Sequence, residues 1–528
     1  MSQIFLPTPP DDGEIYSYLG PQQRWVLLGI AVSYLFTATS LFLFSLRHPL
    51  LWMFLVVLGA NMIAWSLALL DGQRSRRTTR TSHRLLVHGY RPHHYPSVDV
   101  LLPTCGEDFD ILRNTYRHVA AMRWHGPISV YVLDDSDRPE VAALAATYGF
   151  HYDVRDDRPH LKKSGNINHG YRVSNGEFIA VFDADFCPRD DFLYHLMPYF
   201  ADPDTAIVQS PQYFRTTESM GWLEKAAGAA QELFYRWIQP SRDADHAAIC
   251  CGSCVVYRRH ALRRLDGFPR MEHSEDMFTS IELSKFGWQT AYVPVNLATG
   301  ASPDTVTAYV NQQYRWAMGN LELLVDRRFH RRRMPLRTRL CFWNGFASYI
   351  VNAVNVFAVP IPAIIMATAY ADQVRPWHMV AFIPTLWVWF VLLPAAHKTK
   401  WRLNVVRAQL LYSYTHVVAI WHLIRKRTAS WTPTGTTKKR NRLATTVARL
   451  TVVWSSITLL SLWGSLIWAA AQYDPYAFWP AAVFICIHTV LHAPLIGAAW
   501  KTLRPVPAEP PTTTDSLAHR EKAHAIAN

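Results

Sequence analysis

Six stretches of this chain are long and apolar enough to cross a lipid bilayer, and they constrain its fold more than any other feature. They are Trp25–Leu46, Leu50–Leu70, Cys341–Ala371, Trp377–Ala396, Thr451–Ala471 and Phe478–Trp500. A helix needs about 20 mostly apolar residues to span the hydrocarbon core. The stretch from Ser97 to about Arg333 has no such segment. The sequence therefore predicts a water-facing domain inserted into an all-α bundle of about six transmembrane helices.

The composition agrees with a membrane protein and argues against a nucleic-acid partner. Of the 528 residues, 50% are hydrophobic and 18% are charged, and 20 are Trp. The net charge of +13 comes from Lys and Arg that cluster at the ends of apolar stretches, as in Arg74–Arg84 and Arg327–Arg333. Positive charge at these places marks the cytoplasmic side. We therefore expect a multi-pass protein of the inner or plasma membrane, with the inserted domain and both termini in the cytoplasm and no bound nucleic acid.

One further stretch, Leu403 to Ile424, is ambiguous. It contains Arg407 and two histidines, and basic clusters flank both of its ends. If it crossed the membrane, one basic cluster would lie outside the cell. We therefore predict an interfacial helix on the cytoplasmic side. The segment after Arg504 is rich in Pro and Thr and is predicted to be disordered.

Short apolar runs alternate with helical patterns in the water-facing stretch. The runs predicted to be buried strands are Val98–Leu102, Ile128–Leu133, Phe178–Phe182 and Ala206–Val208. The apolar side chains at helical spacing between the first two runs are Phe109, Leu112, Tyr116 and Val119. This alternation predicts an α/β domain with a mostly parallel sheet, in which ligands bind beyond the carboxyl ends of the strands.

Acidic residues follow three of the predicted strands. The polar residues at these strand ends are Thr104 and Glu107, then Asp134 and Asp135, then Asp183 and Asp185. A single Asp-x-Asp pair is usually a turn or a cap. Burying the carboxylates of three strand ends together costs free energy unless a cation neutralises them. Two carboxylates one residue apart suit a Mg²⁺ or Mn²⁺ ion that bridges to a diphosphate. Asp183 and Asp185 are therefore the predicted metal ligands.

Two further stretches have small residues where a ligand could approach. Lys163 stands two residues before Gly165, and a glycine turn there would let the lysine reach a phosphate. A solvated turn is the alternative. Cys251 and Gly252 lie in a small-residue stretch that leaves room for a ligand.

A second acidic pair, Glu275 and Asp276, follows Ser274. A carboxylate here could take a proton from an attacking hydroxyl. Ser274 is also a good helix N-cap, with acids in the first turn. Both roles can hold together.

The stretch from Thr307 to Asn320 is predicted to be a helix with a ligand-binding face. Gln312 and Arg315 are three residues apart and share a helix face. The Arg315 guanidinium suits a phosphate or a sugar hydroxyl pair, and the Trp316 ring offers an apolar surface for a sugar. A polar helix with a packed Trp is the alternative.

Taken in order, these motifs resemble those of cellulose synthase and related processive family 2 glycosyltransferases. The matching stretches are Asp134-Asp135, Lys163–Asn168, Asp183-Ala184-Asp185, Cys251-Gly252-Ser253, Glu275-Asp276 and Gln312-Gln313-Tyr314-Arg315-Trp316. The sequence departs from the family where Cys250 replaces Phe and Ser274 replaces Thr. It has no evident PilZ domain, and its counterpart of the gating loop, with Trp431 and Thr434, is imperfect.

The resemblance implies a GT-A-like cytoplasmic domain and specific residue roles. The residues implied to hold the nucleotide sugar are Thr104, Glu107, Asp134, Asp135, Lys163 and Asp183. Those implied to hold the acceptor or the diphosphate are Gln312, Arg315, Trp316, Cys251 and Gly252. Asp276 is the implied general base beside Glu275, Asp183 and Asp185 hold Mg²⁺ or Mn²⁺, and Trp431 and Thr434 belong to the gating loop.

The implied reaction is inverting, processive transfer from a UDP-sugar, with UDP-glucose expected, to a growing β-glucan that leaves through the transmembrane helices. The motifs leave open a hyaluronan- or chitin-like product, a non-processive lipid-carrier enzyme and an inactive membrane scaffold.

The predicted divisions are an N-terminal segment (1–23), a helical hairpin (24–71), the glycosyltransferase domain (97–333), transmembrane helices (341–396), an interfacial helix with the gating-loop-like segment (399–440), transmembrane helices (451–500) and a tail (501–528).

Overall fold

The structure is a computed structural model, and it describes residues 6–20, 24–399, 402–429 and 441–504. The strands of the described residues are β1 (Val98–Thr104), β2 (Ile128–Asp134), β3 (His151–Asp153), β4 (Phe178–Val181), β5 (Phe186–Pro188), β6 (Thr205–Gln209), β7 (Val255–Arg258), β8 (Gln289–Tyr292) and β9 (Ala298–Gly300).

The α-helices of the same residues follow in chain order. They are α1 (Arg24–Leu46), α2 (Trp52–Gly72), α3 (Arg80–Gly89), α4 (Phe109–Ala120), α5 (Pro139–Thr147), α6 (Lys162–Val173), α7 (Phe192–Leu196), α8 (Trp222–Leu233), α9 (Gln239–Ala244), α10 (Arg259–Leu262), α11 (Glu275–Leu283), α12 (Val306–Val325), α13 (Arg327–His330), α14 (Leu336–Ala358), α15 (Pro360–Ala369), α16 (Ile383–Trp387), α17 (Leu393–Ala396), α18 (Leu403–Ile424), α19 (Arg442–Gln472) and α20 (Trp479–Leu503).

A mixed, mostly parallel sheet forms the centre of the water-facing domain. Its strand order is β3-β2-β1-β4-β7-β6-β8, and a small second sheet pairs β5 with β9. Strands β3, β2, β1 and β4 run parallel, whereas β7 is antiparallel to both β4 and β6. Every residue of β1, β4 and β6 is buried, as expected for strands covered on both faces. The predicted fold class and all four predicted strands are confirmed.

The sheet topology brings the predicted polar residues to one edge. The parallel strands β2, β1 and β4 end side by side, with Thr104 paired to Asp134 in register. Because β7 is antiparallel, its first residue, Val255, lies opposite Val181 at the end of β4. The Cys251–Ser253 stretch just before β7 therefore reaches the same edge as Asp183.

Among the described residues, six helical segments are long and apolar enough to cross a membrane, as predicted. Their bounds are Trp25–Leu46, Pro49–Gly72, Leu336–Ala369, Pro376–Ala396, Arg442–Gln472 and Pro475–Leu503. Several are longer than the predicted stretches because the helices continue into polar residues, as at Leu336–Leu340. Leu403–Ile424 forms helix α18 and is not one of these six segments.

Helix α18 joins the water-facing domain to the membrane helices. On its side toward α12, the Tyr309 hydroxyl donates to the Ala408 carbonyl at 3.2 Å. Further along, the Tyr314 hydroxyl and His422 Nδ1 are 2.8 Å apart. On its opposite side, the Tyr414 hydroxyl and Ser455 Oγ of α19 are 2.9 Å apart. The predicted ligand-binding helix α12 is thus fixed against the membrane region.

Candidate active site

Asp134 shapes the turn at the end of β2. Its carboxylate accepts hydrogen bonds from the backbone N–H groups of Ser136 at 2.9 Å and Arg138 at 3.0 Å, and from the Tyr152 hydroxyl at 3.2 Å. Neighbouring Thr104 is buried, and its carbonyl accepts from the Asp135 N–H at 2.9 Å. These contacts fix the two strand ends relative to each other.

Asp135 forms a buried ion pair with Arg155, a residue that the sequence analysis missed. Arg155 Nε and Nη2 donate to the two carboxylate oxygens of Asp135, each at 2.7 Å. The two side chains are only 1% and 4% exposed. Arg155 also donates to the carbonyls of His160 at 2.6 Å and Lys162 at 3.1 Å. It therefore ties the loop after β2 to the start of the segment that contains Lys163.

Gly165 lies in a helix, so the predicted glycine turn was wrong. Helix α6 begins at Lys162. A Cβ at Gly165 would lie 2.2 Å from Arg155 Nη1 and 2.3 Å from the His160 carbonyl. The glycine therefore gives the Arg155 guanidinium space against the first turn of α6, a tertiary requirement that outweighs its low helix propensity.

Lys163 nevertheless reaches the predicted metal site from this helix. Its ammonium donates to the Gly252 carbonyl at 2.7 Å and to Asp183 Oδ1. Burial alone would lower the pKa of Lys163, but Asp183 and Glu275 more than offset this effect, so the pKa is raised above its usual value. Lys163 therefore stays charged beside the acidic residues.

Asp183 and Asp185 follow β4 as predicted. The Asp183 backbone N–H donates to Ser253 Oγ at 2.9 Å, which connects this loop to the stretch before β7. Burial raises the pKa of Asp185 to about 7, and the Asp183 carboxylate adds to the rise. Burial also raises the pKa of Glu107 to about 7, although the Cys105 N–H, 2.7 Å away, opposes the shift.

The two aspartates fit a hard divalent cation that shares its coordination with a ligand. Their donors are carboxylate oxygens, which Mg²⁺ and Mn²⁺ prefer. The pKa of Asp185 is raised because burial disfavours its charged form more than the nearby Lys163 favours it, so added positive charge would stabilise the ionised carboxylate. Within the part of the chain that the structure describes, no group of three or more His, Cys, Asp or Glu is arranged to hold a metal. A cation at Asp183 and Asp185 would therefore take further ligands from phosphate or water.

Asp276 lies against Gly252 at the start of α11. Gly252 has a φ of +75°, and a Cβ there would lie 2.8 Å from Asp276 Oδ2. Burial raises the pKa of Asp276 to about 7, and the Glu275 carboxylate adds to the rise. Burial likewise raises the pKa of Glu275, with Lys163 opposing. A carboxylate with a pKa near neutrality is suited to act as a general base.

Ser274 occupies the N-cap position of α11, as predicted, but its side chain makes no capping hydrogen bond. It has a φ of +55°. A Cβ at Gly319 would lie only 1.7 Å from Ser274 Oγ, so the serine packs directly on α12. This contact brings the helix with Gln312, Arg315 and Trp316 against the acidic pair.

Within α12, Gln312 is buried and Arg315 and Trp316 are partly buried. Burial lowers the pKa of Arg315, and the carboxylates of Asp183, Asp185 and Glu275 oppose this shift. The Arg315 guanidinium therefore lies within electrostatic range of the acidic group.

The Cys251 backbone is held by two buried glutamines that the sequence analysis did not select. Its N–H donates to Gln209 Oε1 at 2.8 Å, and its carbonyl accepts from Gln212 Nε2 at 2.7 Å. These bonds hold the loop that presents Gly252 to Lys163 and Asp276. Trp431 and Thr434, the predicted gating-loop residues, lie outside the described residues.

Lys163 and Asp276 therefore meet at Gly252, and Lys163 also pairs with Asp183. Asp185, Glu275 and Arg315 lie within electrostatic range of this group. Thr104, Glu107, Asp134 and Asp135 lie on the neighbouring part of the same edge, where Asp134 and Asp135 already have hydrogen-bond partners.

Comparison with known proteins identifies the class of this domain. Residues 96–319 match the family model described as glycosyltransferase like family 2. This range covers the sheet, the acidic loops and α12 as far as Gly319. Residues 96–319 are thus similar to the family 2 glycosyltransferases, and helices that could span a membrane lie on both sides of this domain.

More particularly, the chain is similar to bacterial cellulose synthases. It is 32% identical over 272 residues to the cellulose synthase catalytic subunit (UDP-forming) of Xanthomonas axonopodis pv. citri, covering 50% of this chain and 37% of that protein. It is 32% identical over 278 residues to cellulose synthase 1 of Komagataeibacter xylinus, covering 51% and 17%. The match therefore spans well under half the length of these relatives. The predicted resemblance is confirmed.

Among solved structures, one similar fold is the mannosyltransferase PcManGT from Pyrobaculum calidifontis in complex with GDP-Man and Mn²⁺. The identity is 15% and the TM-score is 0.45, with 70% of this chain and 100% of that chain covered.

Proposed function

We propose that this chain is a processive, inverting glycosyltransferase that uses UDP-glucose to extend a β-glucan and exports the polymer through its own membrane helices. The observation that supports this most is the convergence of Lys163, Asp183, Asp185, Asp276 and Arg315 at the carboxyl edge of the sheet, against a helix fixed to the membrane region. The names of the similar proteins, cellulose synthases that form UDP, support both the donor and the product.

Asp276 acts as the general base. The acceptor hydroxyl oxygen attacks the anomeric carbon of the donor glucose, and the bond from that carbon to the β-phosphate oxygen breaks. The hydroxyl proton passes to the Asp276 carboxylate, and UDP leaves. A single displacement of this kind inverts the anomeric centre. The pKa of about 7 keeps much of Asp276 deprotonated near neutral pH while leaving it basic enough to accept the proton.

Asp183 and Asp185 hold Mg²⁺ or Mn²⁺. When bound, the cation offsets the charge that develops on the leaving diphosphate. Lys163 and Arg315 add fixed positive charge toward the same group. Glu107 and Thr104, with the Asp134 and Asp135 loop, form the nucleotide side of the pocket, and the Arg155 ion pair holds that loop in place.

The acceptor end of the polymer binds along α12. Gln312 and Trp316 contact its terminal sugars, with Cys251 and Gly252 facing them, and Trp431 and Thr434 close the pocket as a gating loop. Because α12 packs on α18 and the Ser274 region of α11, the growing chain leaves the reacting centre toward the membrane helices. The domain divisions given above and a cytoplasmic orientation at the inner membrane belong to the same proposal.

The test is incorporation of labelled sugar by the purified protein. UDP-glucose, UDP-N-acetylglucosamine, UDP-galactose and UDP-glucuronate are supplied in turn with Mg²⁺ or Mn²⁺, and linkage and length of the product are measured, with Asp276→Asn as the inactive control. A long β-linked glucan from UDP-glucose is expected. Single additions would contradict processivity, a polymer from another donor would contradict the donor assignment, and no incorporation from any donor would support the inactive scaffold.

A further inference from the structure

A polar cleft opens where the second and third membrane-spanning segments meet the water-facing domain. It has a volume of about 250 Å³ and is lined by Gln73, Arg74, Ser75 and Arg337. Helix α2 ends at Gly72, immediately before the first of these residues, and α14 begins one residue before Arg337. The cleft is therefore placed at the boundary between hydrocarbon and water, where lipid headgroups lie.

Polar contacts between the two helices fix the shape of this cleft. Asn61 of α2 and Asn355 of α14 exchange side-chain hydrogen bonds, both of 2.9 Å. At the cleft end, buried Asp71 accepts from Arg242 Nη2 at 2.7 Å and from Asn344 Nδ2 at 2.6 Å. The ends of the two spans are thus held together and anchored to the water-facing domain.

The charge in the cleft favours an anion. The Arg74 and Arg337 side chains are 44% and 49% exposed, so both guanidiniums are accessible. They share one carboxylate, since Asp245 lies 3.0 Å from Arg74 and 3.9 Å from Arg337 and is itself 8% exposed. Because Asp245 is largely covered and both arginines are about half exposed, the opening of the cleft presents guanidinium groups rather than the carboxylate.

Apolar side chains continue the surface away from this charge. On the helix that ends at the cleft, Leu70 is 42% exposed, and Leu336 at the start of α14 is 70% exposed. A ligand that matches both parts has an anionic head and a hydrocarbon tail. A soluble phosphate would match the arginines alone.

We propose that this cleft binds the phosphate headgroup of an anionic glycerophospholipid, with the acyl chains along Leu70 and Leu336. Arg74 and Arg337 donate to the phosphate oxygens, as guanidinium groups do with their planar sets of N–H donors. Gln73 and Ser75 face the polar part of the headgroup. This site is separate from the sugar-transfer site, so it does not depend on the proposed function.

The test is lipid retention by the full-length, detergent-purified protein. The protein is equilibrated with equal amounts of dioleoyl phosphatidylglycerol and dioleoyl phosphatidylcholine, and bound lipid is counted by native mass spectrometry. Wild-type protein is expected to retain the phosphatidylglycerol preferentially. In the double variant Arg74→Gln/Arg337→Gln, retention of phosphatidylglycerol is expected to fall about thirtyfold, since each arginine near a lipid surface contributes about 1 kcal/mol and about 1.4 kcal/mol corresponds to a factor of ten.

The matched control is Arg328→Gln/Arg331→Gln, which removes two exposed arginines of the neighbouring basic linker that do not line the cleft. It is expected to change retention less than twofold. Because Arg74 lies closer to Asp245 than Arg337 does, at 3.0 Å against 3.9 Å, the single variant Arg337→Gln is measured as well, and Arg337→Lys should restore part of the binding. Equal loss in the control, or unchanged retention in both cleft variants, would overturn the proposal. Displacement of the lipid by millimolar glycerol 3-phosphate would assign the cleft to soluble phosphates instead.

Discussion

Gly252 offers a direct test of the place of Asp276 in the reaction. In the Gly252→Ala variant, the new methyl group would lie 2.8 Å from Asp276 Oδ2 and 3.2 Å from its Cβ. Normal contact needs about 3.5 Å, so the carboxylate must move by several tenths of an ångström. A misplacement of about 1 Å at a reacting group can cost up to about 10²-fold in rate. We therefore expect kcat to fall by about 10- to 100-fold.

Backbone strain is the main competing effect, and Gly149 supplies a matched control for it. Gly252 and Gly149 have φ values of +75° and +70°, so alanine at either position costs roughly 1–2 kcal/mol of unfolding free energy. A Cβ at Gly149 meets nothing within 4 Å. Gly149→Ala should therefore lose comparable thermal stability and keep its activity.

The assay compares kcat, KM for UDP-glucose and thermal unfolding of both variants with the wild-type protein. Lys163 contacts the carbonyl of Gly252 rather than its Cα, so we expect KM for the donor to change much less than kcat. If both variants lost activity equally, strain would be the cause. If Gly252→Ala retained full turnover, Asp276 would not need its observed position.

Four further predictions address the base, the metal, the topology and the gating loop. The kcat at saturating donor should rise about tenfold from pH 6 to pH 8, because a carboxyl with a pKa of about 7 is mostly protonated at pH 6 and mostly ionised at pH 8. The Asp276→Asn variant should be about 10²–10⁴-fold slower and should lose this pH dependence. A flat pH profile of the wild-type protein would contradict the assignment of Asp276 as the base. Asp185→Ala should weaken UDP binding measured calorimetrically with Mg²⁺ or Mn²⁺, and full turnover in EDTA would exclude the two-aspartate site. Reporter fusions after Arg427 and after Arg504 should both read as cytoplasmic, whereas an external signal at Arg427 would make Leu403–Ile424 a span. Trp431→Ala should keep expression and thermal stability and lower turnover at least about tenfold, as expected for a residue that closes over the substrate, and unchanged turnover would reduce this stretch to a linker.

The parts of the fold that could be predicted from the sequence are those formed by continuous runs of apolar residues. Strands β1, β2, β4 and β6 were recognisable because each has a continuous apolar run, and the six spans were recognisable from length and hydropathy. Strands β3, β5 and β9 have three residues each, too few to show a period. Their positions depend on pairing with strands that are distant in sequence.

The missed strand β3 explains why Arg155 was also missed. Strand β3 (His151–Asp153) is the outermost strand of the sheet and runs parallel to β2. The residues that follow β3 therefore lie at the carboxyl ends of the strands, as Asp135 does. Arg155 comes two residues after β3, the position at which other strands place their functional residues. Asp135 and Asp183 were selected because polar residues that follow a strand lie where ligands bind. The same rule would have selected Arg155 if β3 had been recognised.

Burial connects the stability of this site with its chemistry. Glu107, Asp185 and Asp276 each have a pKa raised to about 7 chiefly by burial, whereas an unfolded chain would hold these carboxyls near 4. The folded protein therefore binds more protons between these values, and its stability falls as the pH rises from about 4 to 7. Asp135, in contrast, forms an ion pair with Arg155 inside the fold. Under the proposed function, a cation bound at Asp185 and the proton that Asp276 takes from the acceptor hydroxyl would relieve this cost. If the site has the proposed function, the free energy that folding loses at these two carboxyls thus favours metal binding and proton transfer.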